Sequence, residues 1–274
     1  MSLRIKSQVK SLLKRFGLYQ RLKQSIIYDL YWGIADRRIL RERAIEVDFY
    51  KGILTNLDKG DIVFDIGANC GNKTDIFLRL GATVIAVDPD EANQETLKQR
   101  FLRLRVSKNP VFVVAKAVGA TNREEVMWIE EPGSAKNTLS SKWVDTLRND
   151  KSRFGKELGF SVQKVVETIT LDQLIDEFGL PFFIKIDVEG YEAAVLAGLH
   201  QIVPFLSFEV NLPEFLPEGI KCVDALSCLS RSGKFNYVAS CRLGLRCEQW
   251  LDGDELVAAL KSCKESSIEV VWKS

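Results

Sequence analysis

The chain of 274 residues carries 38 Lys and Arg against 37 Asp and Glu, and 46% of its residues are hydrophobic. This length suffices for one large domain with additions or for two small domains. No segment approaches the roughly 18 apolar residues of a membrane-spanning helix, and the first residues lack the apolar core of a signal peptide. We therefore expect a cytoplasmic protein, and we interpret its six cysteines, none in a C-x-x-C pair, as free thiols.

The N-terminal part differs in charge from the rest of the chain. Residues 1–43 hold eleven Lys and Arg against three Asp and Glu, a net charge of +8, whereas the remaining residues carry a net charge of −7. Apolar residues recur at steps of three or four along residues 3–31, which predicts a helix with a basic opposite face. We therefore expect a basic amphipathic helical extension over residues 1–45, followed by a single large domain over residues 46–274.

Two interpretations of residues 1–30 remain open. The predicted helix packs on its own domain or on a second copy in a homodimer, or it lies on the anionic inner surface of a membrane as a peripheral anchor. The acidic remainder of the chain argues against nucleic acid as a partner.

Beyond the extension, apolar patterns of strand and helix type alternate. The predicted strands cover residues 61–66, 83–88, 111–115, 123–130, 164–170, 182–187, 205–210, 235–240 and 267–272. The predicted helices cover residues 44–58, 72–80, 90–104, 171–178, 190–198 and 222–231. Such alternation predicts an α/β fold with a parallel sheet and helices on both faces. Residues 132–160 are polar, contain a short helical pattern around Ser141–Arg148, and are interpreted as a lid or substrate-binding insertion.

The most informative segment is 62–72, where a buried strand pattern ends near Asp65 and turns through a Gly-rich stretch into a helix. In open α/β sheets a ligand related to a nucleotide binds at such a turn. Gly67 and Gly71 let the backbone approach the ligand closely, and Asn69 between them tolerates a left-handed turn.

The next strand indicates which ligand this is. Asp88 lies at its end, about 20 residues beyond the Gly-rich turn, where a carboxylate can accept both hydroxyls of a ribose. Lys73 stands where the dinucleotide fingerprint has its third Gly, and no P-loop is present. The pattern therefore favours a cationic nucleoside such as S-adenosylmethionine over a pyrophosphate.

The segment 182–192 is the second dense motif. Lys185, Asp187 and Glu189 alternate along a predicted central strand and its turn, so Asp187 is expected to face the same cleft as Asp65 and Asp88. The alternative is that Asp187 or Glu189 only caps the following helix.

The strand that follows ends in Glu209 and Asn211, which we expect to bind the substrate. With Asp187 they offer three oxygen ligands that would suit Mg²⁺, but we predict no metal and expect them to position a substrate hydroxyl. His200, the single histidine, lies far along the chain from the Asp187 turn and is not expected to be the base.

Together these segments resemble the FkbM family of S-adenosylmethionine-dependent methyltransferases. The matching stretches are 64–71, 87–89, 170–172 and 208–210, and the most specific is the K-I-D-V-E-G-x-E block at 185–192. The resemblance covers roughly residues 60–212. It implies a class I methyltransferase fold, Rossmann-like, with a mostly parallel seven-stranded sheet and one reversed strand near its end.

The resemblance also implies O-methylation of a hydroxyl on a small molecule or carbohydrate, with S-adenosylmethionine as the cofactor. It places the cofactor's ribose on Asp88 and its adenine near Val118. The residues that it places around the methionine part are Asp65, Gly67, Ala68, Asn69 and Gly71. Asp187 is the expected catalytic residue, with Glu189 second and Lys185 beside them.

Two alternatives from other functional classes were weighed. An NAD-dependent oxidoreductase or epimerase would need a pyrophosphate turn and a Tyr–Lys pair at helical spacing, and neither pattern is present. A non-catalytic Rossmann-like protein would bind only a partner, but the acids at the predicted strand ends argue against it.

Overall fold

The computed structural model describes residues 37–102, 110–149 and 158–274, and strands and helices alternate along these ranges. The strands are β1 (Ile62–Ile66), β2 (Thr83–Val87), β3 (Val111–Val114), β4 (Ala117–Val118), β5 (Glu124–Ile129), β6 (Val162–Ile169), β7 (Phe183–Ile186), β8 (Phe205–Asn211), β9 (Lys234–Val238) and β10 (Ser267–Lys273). The helices are α1 (Arg37–Ile53), α2 (Asn72–Leu80), α3 (Glu91–Leu97), α4 (Ser141–Asn149), α5 (Leu171–Phe178), α6 (Glu192–Leu196), α7 (Leu216–Leu229) and α8 (Gly253–Ser262). A π-helical turn, Lys98–Leu102, continues α3.

Seven strands form the main sheet in the order β3-β2-β1-β7-β8-β10-β9. The neighbours among β3, β2, β1, β7 and β8 pair in parallel, and β10 is antiparallel to both β8 and β9. This is the mostly parallel sheet with one reversed strand near the end that the sequence predicted. The order reverses between β1 and β7, so the fold has a topological switch point at the carboxyl ends of these two strands.

Helices cover both faces of the sheet, because the buried strands expose apolar side chains alternately to each side. On one face, Tyr50 from α1 and Phe77 from α2 pack on Phe183 of β7 in tilted and edge-to-face ring contacts. On the other face, α5, α6, α7 and α8 bury a larger apolar cluster against the same strands.

Three further strands form a separate small sheet in the order β4-β6-β5. The patterns over 123–130 and 164–170 predicted β5 and β6, and these two strands pair antiparallel. The two-residue strand β4 was not predicted, since two residues are too few to show a period.

The N-terminal prediction is tested only in part. The basic segment over residues 1–30 lies outside the described residues. Helix α1 begins at Arg37 and ends at Ile53, so it crosses the predicted boundary at residue 45, and the helix predicted over 44–58 begins and ends earlier than expected.

Candidate active site

The tips of the parallel strands lie side by side at one edge of the sheet. Backbone hydrogen bonds continue the pairing of neighbouring strands past their ends. The Gly67 amide donates to the Val87 carbonyl at 2.9 Å, and the Asp187 amide donates to the Ile66 carbonyl at 3.0 Å. The turns that follow β1, β2 and β7 therefore start from fixed positions around the switch point.

The turn between β1 and α2 has the left-handed backbone that the sequence predicted. Gly67, Asn69 and Gly71 have φ angles of 79°, 49° and 80°. A Cβ on Gly67 would lie 1.9 Å from the Asp187 carbonyl oxygen, so only glycine fits there. The backbone of this turn is thus pressed against the start of the β7 turn.

A crevice of about 730 Å³, including its open mouth, runs along these strand tips. It brings together six of the predicted site residues, which are Gly67, Asn69, Asp88, Val118, Asp187 and Glu189. The Rossmann-like turn and the motif at 185–192 therefore share one site, as expected. Val118 lines the crevice through β4, the strand that sequence patterns did not reveal.

Three of the residues predicted to bind the cofactor do not line the crevice. They support the turn between β1 and α2 from its buried side. The Asp65 carboxylate is 1% exposed and accepts a hydrogen bond of 2.6 Å from the Thr74 hydroxyl, so it fixes the start of α2. Burial raises the pKa of Asp65. Ala68 is buried, and Gly71 gives the chain room beside Phe101 and Leu97.

Asp88 is held in place by the neighbouring turns. One carboxylate oxygen accepts from the Asn69 amide at 2.8 Å, and the other accepts from the Asp90 amide at 2.9 Å and from Asn93 Nδ2 at 3.2 Å. Burial raises the pKa of Asp88 to about 6, although these hydrogen bonds favour the charged form. A carboxylate has about four acceptor positions, so capacity remains for a ligand hydroxyl.

The loop over residues 130–140 closes one side of the crevice and is named here the crevice loop. The Gly133 amide and Asn137 Nδ2 both donate to Asp90 Oδ2, at 2.9 and 2.7 Å, and the Thr138 hydroxyl donates to the Glu189 carbonyl at 2.8 Å. The first part of the segment predicted as a lid or insertion therefore borders the crevice. Sequence reasoning missed Asp90, Asn137 and Thr138, because their partners are distant in the chain.

Three carboxylates meet at the carboxyl end of β7, two from the turn that follows this strand and one from Glu209 within the neighbouring strand β8. One oxygen each from Asp187, Glu189 and Glu209 lies within 4.8 Å of the other two. The buried Lys185 Nζ lies 2.8 Å from Asp187 Oδ2. Four of the residues that the sequence singled out are therefore brought together. Asn211 is not in this set, and its side-chain amide donates a hydrogen bond of 3.2 Å to Glu209 Oε2.

The three acids differ in protonation because their surroundings differ. Burial acts to raise the pKa of Asp187, but the charge and hydrogen bond of Lys185 hold it below its usual value. Burial and the nearby Asp187 raise the pKa of Glu209 to about 7. The pKa of Glu189 is raised strongly by burial and then by Glu209 and Asp187. Asp187 is thus the carboxylate of the cluster whose charged form the surroundings favour most, because Lys185 lies beside it.

The family model described as the methyltransferase FkbM domain matches residues 65–220, which is more than half of the chain. The chain belongs to the FkbM methyltransferase family. This confirms the family, the fold class and the S-adenosylmethionine cofactor expected from the sequence. The matched range begins at Asp65 and contains the crevice, the crevice loop and the three carboxylates.

Solved structures give more distant similarities. An S-adenosylmethionine-dependent methyltransferase from Agrobacterium tumefaciens shares 9% identity at a TM-score of 0.41, with 85% of this chain and 62% of that chain covered. The plantazolicin methyltransferase BpumL in complex with SAH shares 10% identity at a TM-score of 0.40, with 97% and 99% covered. The C-terminal domain of precorrin-6Y C5,15-methyltransferase from Rhodobacter capsulatus shares 11% identity at 0.41, with 81% and 85% covered.

These likenesses are too weak to add to the family assignment, and this chain spans less than two thirds of the Agrobacterium protein. A search of curated protein sequences gave no match. None of the helices in the described ranges has both the length and the apolar character to cross a membrane.

The family motif at 185–192 ends in a residue whose role sequence reasoning missed. Glu192 Oε1 accepts from the Val188 and Gly190 amides, each at 3.2 Å, and so holds the turn between β7 and α6. Burial raises the pKa of Glu192 to about 8. The helix α6 begins after Tyr191 with no side-chain cap. The alternative that Asp187 or Glu189 only caps this helix is therefore wrong.

His200 lies outside the motif and away from the crevice lining. Its side chain is largely exposed, and Nδ1 lies 2.7 Å from Asp172 Oδ2 of α5. This placement agrees with the expectation that it is not the base.

Lys185 and Glu209 do not line the crevice but border a second cavity with Asp187. This second cavity measures about 660 Å³, including its open mouth. Glu209 is held there by the Ser267 hydroxyl, which donates to Oε1 at 2.6 Å from the reversed strand β10.

Proposed function

We propose that the chain transfers a methyl group from S-adenosylmethionine, bound in the crevice, to a hydroxyl oxygen of a small-molecule acceptor. The observation that carries this proposal is Asp187, an acid kept ionised by buried Lys185 at the wall of the crevice. A charged carboxylate in this position can take the proton of an attacking hydroxyl.

The crevice fits the cofactor at both ends. The Gly67 turn, which has no room for a side chain, offers bare backbone to the methionine part, with Asn69 beside it and with Asp65, Ala68 and Gly71 supporting the turn. Asp88 is buried at the crevice wall and keeps an acceptor position for a ribose hydroxyl. Val118 offers an apolar surface to the adenine.

When bound, S-adenosylmethionine supplies a methyl group attached to a sulfonium sulfur. Loss of this methyl group turns the sulfonium into a neutral thioether, which is a good leaving group. The task of the chain's own residues is alignment and proton removal. Asp187 would accept the hydroxyl proton of the acceptor as the acceptor oxygen takes up the methyl group from the cofactor's sulfur. Lys185 keeps Asp187 charged before this step, and Glu209 and Asn211 hold the acceptor side of the site.

The test is the Asp187→Asn variant. The amide cannot accept the proton, so we expect transfer to fall by at least about 100-fold, the usual contribution of a positioned base. S-adenosylhomocysteine affinity should stay within several-fold, since the amide keeps the shape of the crevice wall. Transfer would be measured as radiolabelled methyl incorporation into a low-molecular-weight cell extract, and affinity by calorimetry.

The matched control is Glu189→Gln, which changes the neighbouring acid in the same manner. We expect a much smaller loss, because burial and the neighbouring Glu209 and Asp187 raise the pKa of Glu189 and so disfavour the charged form that a proton acceptor needs. Full transfer by the Asp187 variant would remove Asp187 from the mechanism, and a large loss in the Glu189 variant alone would give that role to Glu189.

A further inference from the structure

The crevice and the second cavity meet at one residue. Among the described residues, Asp187 alone lines both. The remaining wall of the second cavity comes from Lys73 of α2, from Lys185 of β7, from the end of β9 and the turn after it, and from the paired strands β8 and β10. Glu209 of β8 stands directly opposite Glu269 of β10. A molecule in the second cavity would therefore reach the same carboxylate that borders the crevice.

The charged side chains of the second cavity are already paired. Lys185 binds Asp187 at 2.8 Å, and Lys73 binds Glu46 at 2.6 Å. Glu269 accepts the buried Tyr50 hydroxyl on both oxygens, at 2.9 and 3.1 Å. Because both lysines in the wall have carboxylate partners, the cavity is not built for a phosphate or another anion. It is also not built for a free cation, since Lys73 and Lys185 lie among the acids.

What the wall offers is hydrogen bonding to neutral groups. Carboxylates keep acceptor positions beyond the bonds they already make, and serine hydroxyls both donate and accept. Ser240 and Ser267 supply such hydroxyls beside Glu209 and Glu269. The apolar part of the wall is small and aliphatic, and none of the described residues that line the cavity is aromatic. A flat aromatic acceptor would find no ring to stack on, whereas a compact ring bearing hydroxyls would find acceptors on several sides.

We propose that the second cavity is the acceptor site, and that it takes a neutral, non-aromatic, polyhydroxylated molecule such as a glycoside. The acceptor presents one hydroxyl to Asp187, where the two cavities meet, while Glu269 and the serines bind its other hydroxyls. This inference rests on the proposed function, because it takes the crevice to be the cofactor site.

The experiment uses the full-length chain saturated with S-adenosylhomocysteine and measures ligand-observed saturation-transfer NMR. The probes are the methyl glycosides of glucose, galactose, mannose and rhamnose, with catechol as an aromatic diol, all at millimolar concentration. We expect saturation transfer to the ring protons of at least one glycoside and none to catechol. Binding of catechol without any glycoside, or of no probe, would overturn the acceptor class.

The location is tested with Ser240→Trp, which fills the cavity from an exposed position at its rim. The glycoside signal should disappear in this variant. Ser232→Trp places the same side chain at an exposed position that does not line the cavity and should leave the signal unchanged. A glycoside signal that persists in Ser240→Trp would place the acceptor elsewhere.

A second variant, Glu269→Gln, tests the same cavity in case the Ser240→Trp protein does not fold. The amide can still accept the Tyr50 hydroxyl but loses the charge, so we expect glycoside binding to weaken by roughly tenfold, as for the loss of a hydrogen bond to a charged group. Unchanged glycoside affinity in a folded Glu269→Gln protein would count against the cavity.

Calorimetry with S-adenosylhomocysteine separates the two proposals. All three variants should bind it within about twofold of the unmodified chain, since none of the three positions lines the crevice. Failure of the unmodified chain to bind S-adenosylhomocysteine would refute the proposed function. Normal binding without the expected glycoside pattern would refute only the acceptor site.

Discussion

Two residues at the switch point adopt a backbone conformation that favours glycine. Asn69 has a φ of 49° in the turn after β1, and Glu189 has a φ of 55° in the turn after β7. Asn is the residue type that best tolerates this region, so its position was readable from the sequence. Glu189 carries no such signal, and its conformation is imposed by the turn that Glu192 and Thr138 hold. Strain of this kind is typical of functional sites.

Among the described glycines, Gly67 leaves the least room for a Cβ, and this predicts the effect of Gly67→Ala. The methyl group would meet the Asp187 carbonyl at 1.9 Å, and the residue has a φ of 79°. We expect a marked drop in thermal stability and loss of S-adenosylhomocysteine binding, measured by thermal unfolding and calorimetry.

Gly60→Ala separates the clash from the backbone strain. Gly60 has a φ of 96°, but a Cβ there would have nothing within 4 Å. This control should cost only the roughly 1 kcal/mol of the strained backbone and keep cofactor binding. Equal effects of the two substitutions would show that the contact with Asp187 is unimportant.

If Asp88 binds the ribose as proposed, cofactor binding should depend on pH. Its pKa is raised to about 6 by burial, so the carboxylate gains a proton as the pH falls through that value. The protonated acid accepts fewer hydroxyls, and we expect S-adenosylhomocysteine to bind about tenfold more weakly at pH 5 than at pH 7.5. Calorimetry across this range, with Asp88→Asn as the comparison, tests it. The variant should bind weakly at every pH, and a flat profile for the unmodified chain would contradict the role of Asp88.

The turn between β7 and α6 is held by Glu192, a residue that is 5% exposed. Burial raises its pKa from 4.5 to about 8, so the folded chain keeps a proton that the unfolded chain releases between these values. By linkage, this group lowers the free energy of unfolding as the pH rises from 4.5 to 8. Its stabilising contribution is complete below pH 4.5.

Glu192→Gln should remove this decline, because the amide resembles the protonated acid and cannot lose the proton. We expect the variant to gain stability relative to the unmodified chain as the pH rises, with the difference levelling off above pH 8. Urea unfolding at several pH values measures it. The control is Glu177→Gln at an exposed position on α5, which measures the effect of replacing glutamate by glutamine without burial. A difference that stays constant from pH 5 to 9 would rule this account out.

Sequence patterns predicted elements best where local signals were strong. Helix α2 and helix α5 begin and end at the predicted residues, because Gly71 and Gly81 bound the first and Thr170 caps the second. Helix α7 begins at Leu216 rather than at 222, because a proline in the first turn favours helix initiation. Helix α8 was missed although Asp252 and Glu255 form a capping box that the sequence displays.

At the scale of the whole molecule, the sequence identified the acids at the strand tips but not how they are supported. The turn motifs are local, so Gly67, Asp88 and Asp187 could be placed at one edge from strand order alone. Glu269 and Tyr50 are joined across 219 positions of the chain, and no local pattern indicates such a contact. The second cavity depends on this contact and on β10, and it was not predictable from sequence.

The basic segment over residues 1–30 gives a prediction for the entire chain. If it lies on an anionic surface, the full-length chain should bind vesicles that contain anionic lipid, more strongly at low salt than at high salt. Deleting residues 1–30 should abolish this binding and leave S-adenosylhomocysteine affinity unchanged. Sedimentation with vesicles measures it, and neutral vesicles are the control. If the full-length chain does not sediment with anionic vesicles at low salt, the membrane interpretation is excluded. Packing of residues 1–30 on their own domain or on a second copy then remains.

The reversed strand β10 has a consequence for how the protein is made. It lies between β8 and β9 although it is the last strand in sequence, and it brings Ser267 and Glu269 beside Glu209. A nascent chain that has emerged only as far as residue 266 has all the residues proposed to bind the cofactor but lacks the strand between β8 and β9. Under the two proposals above, the cofactor site could therefore form during synthesis before residues 267–273 have emerged, whereas the proposed acceptor site could not.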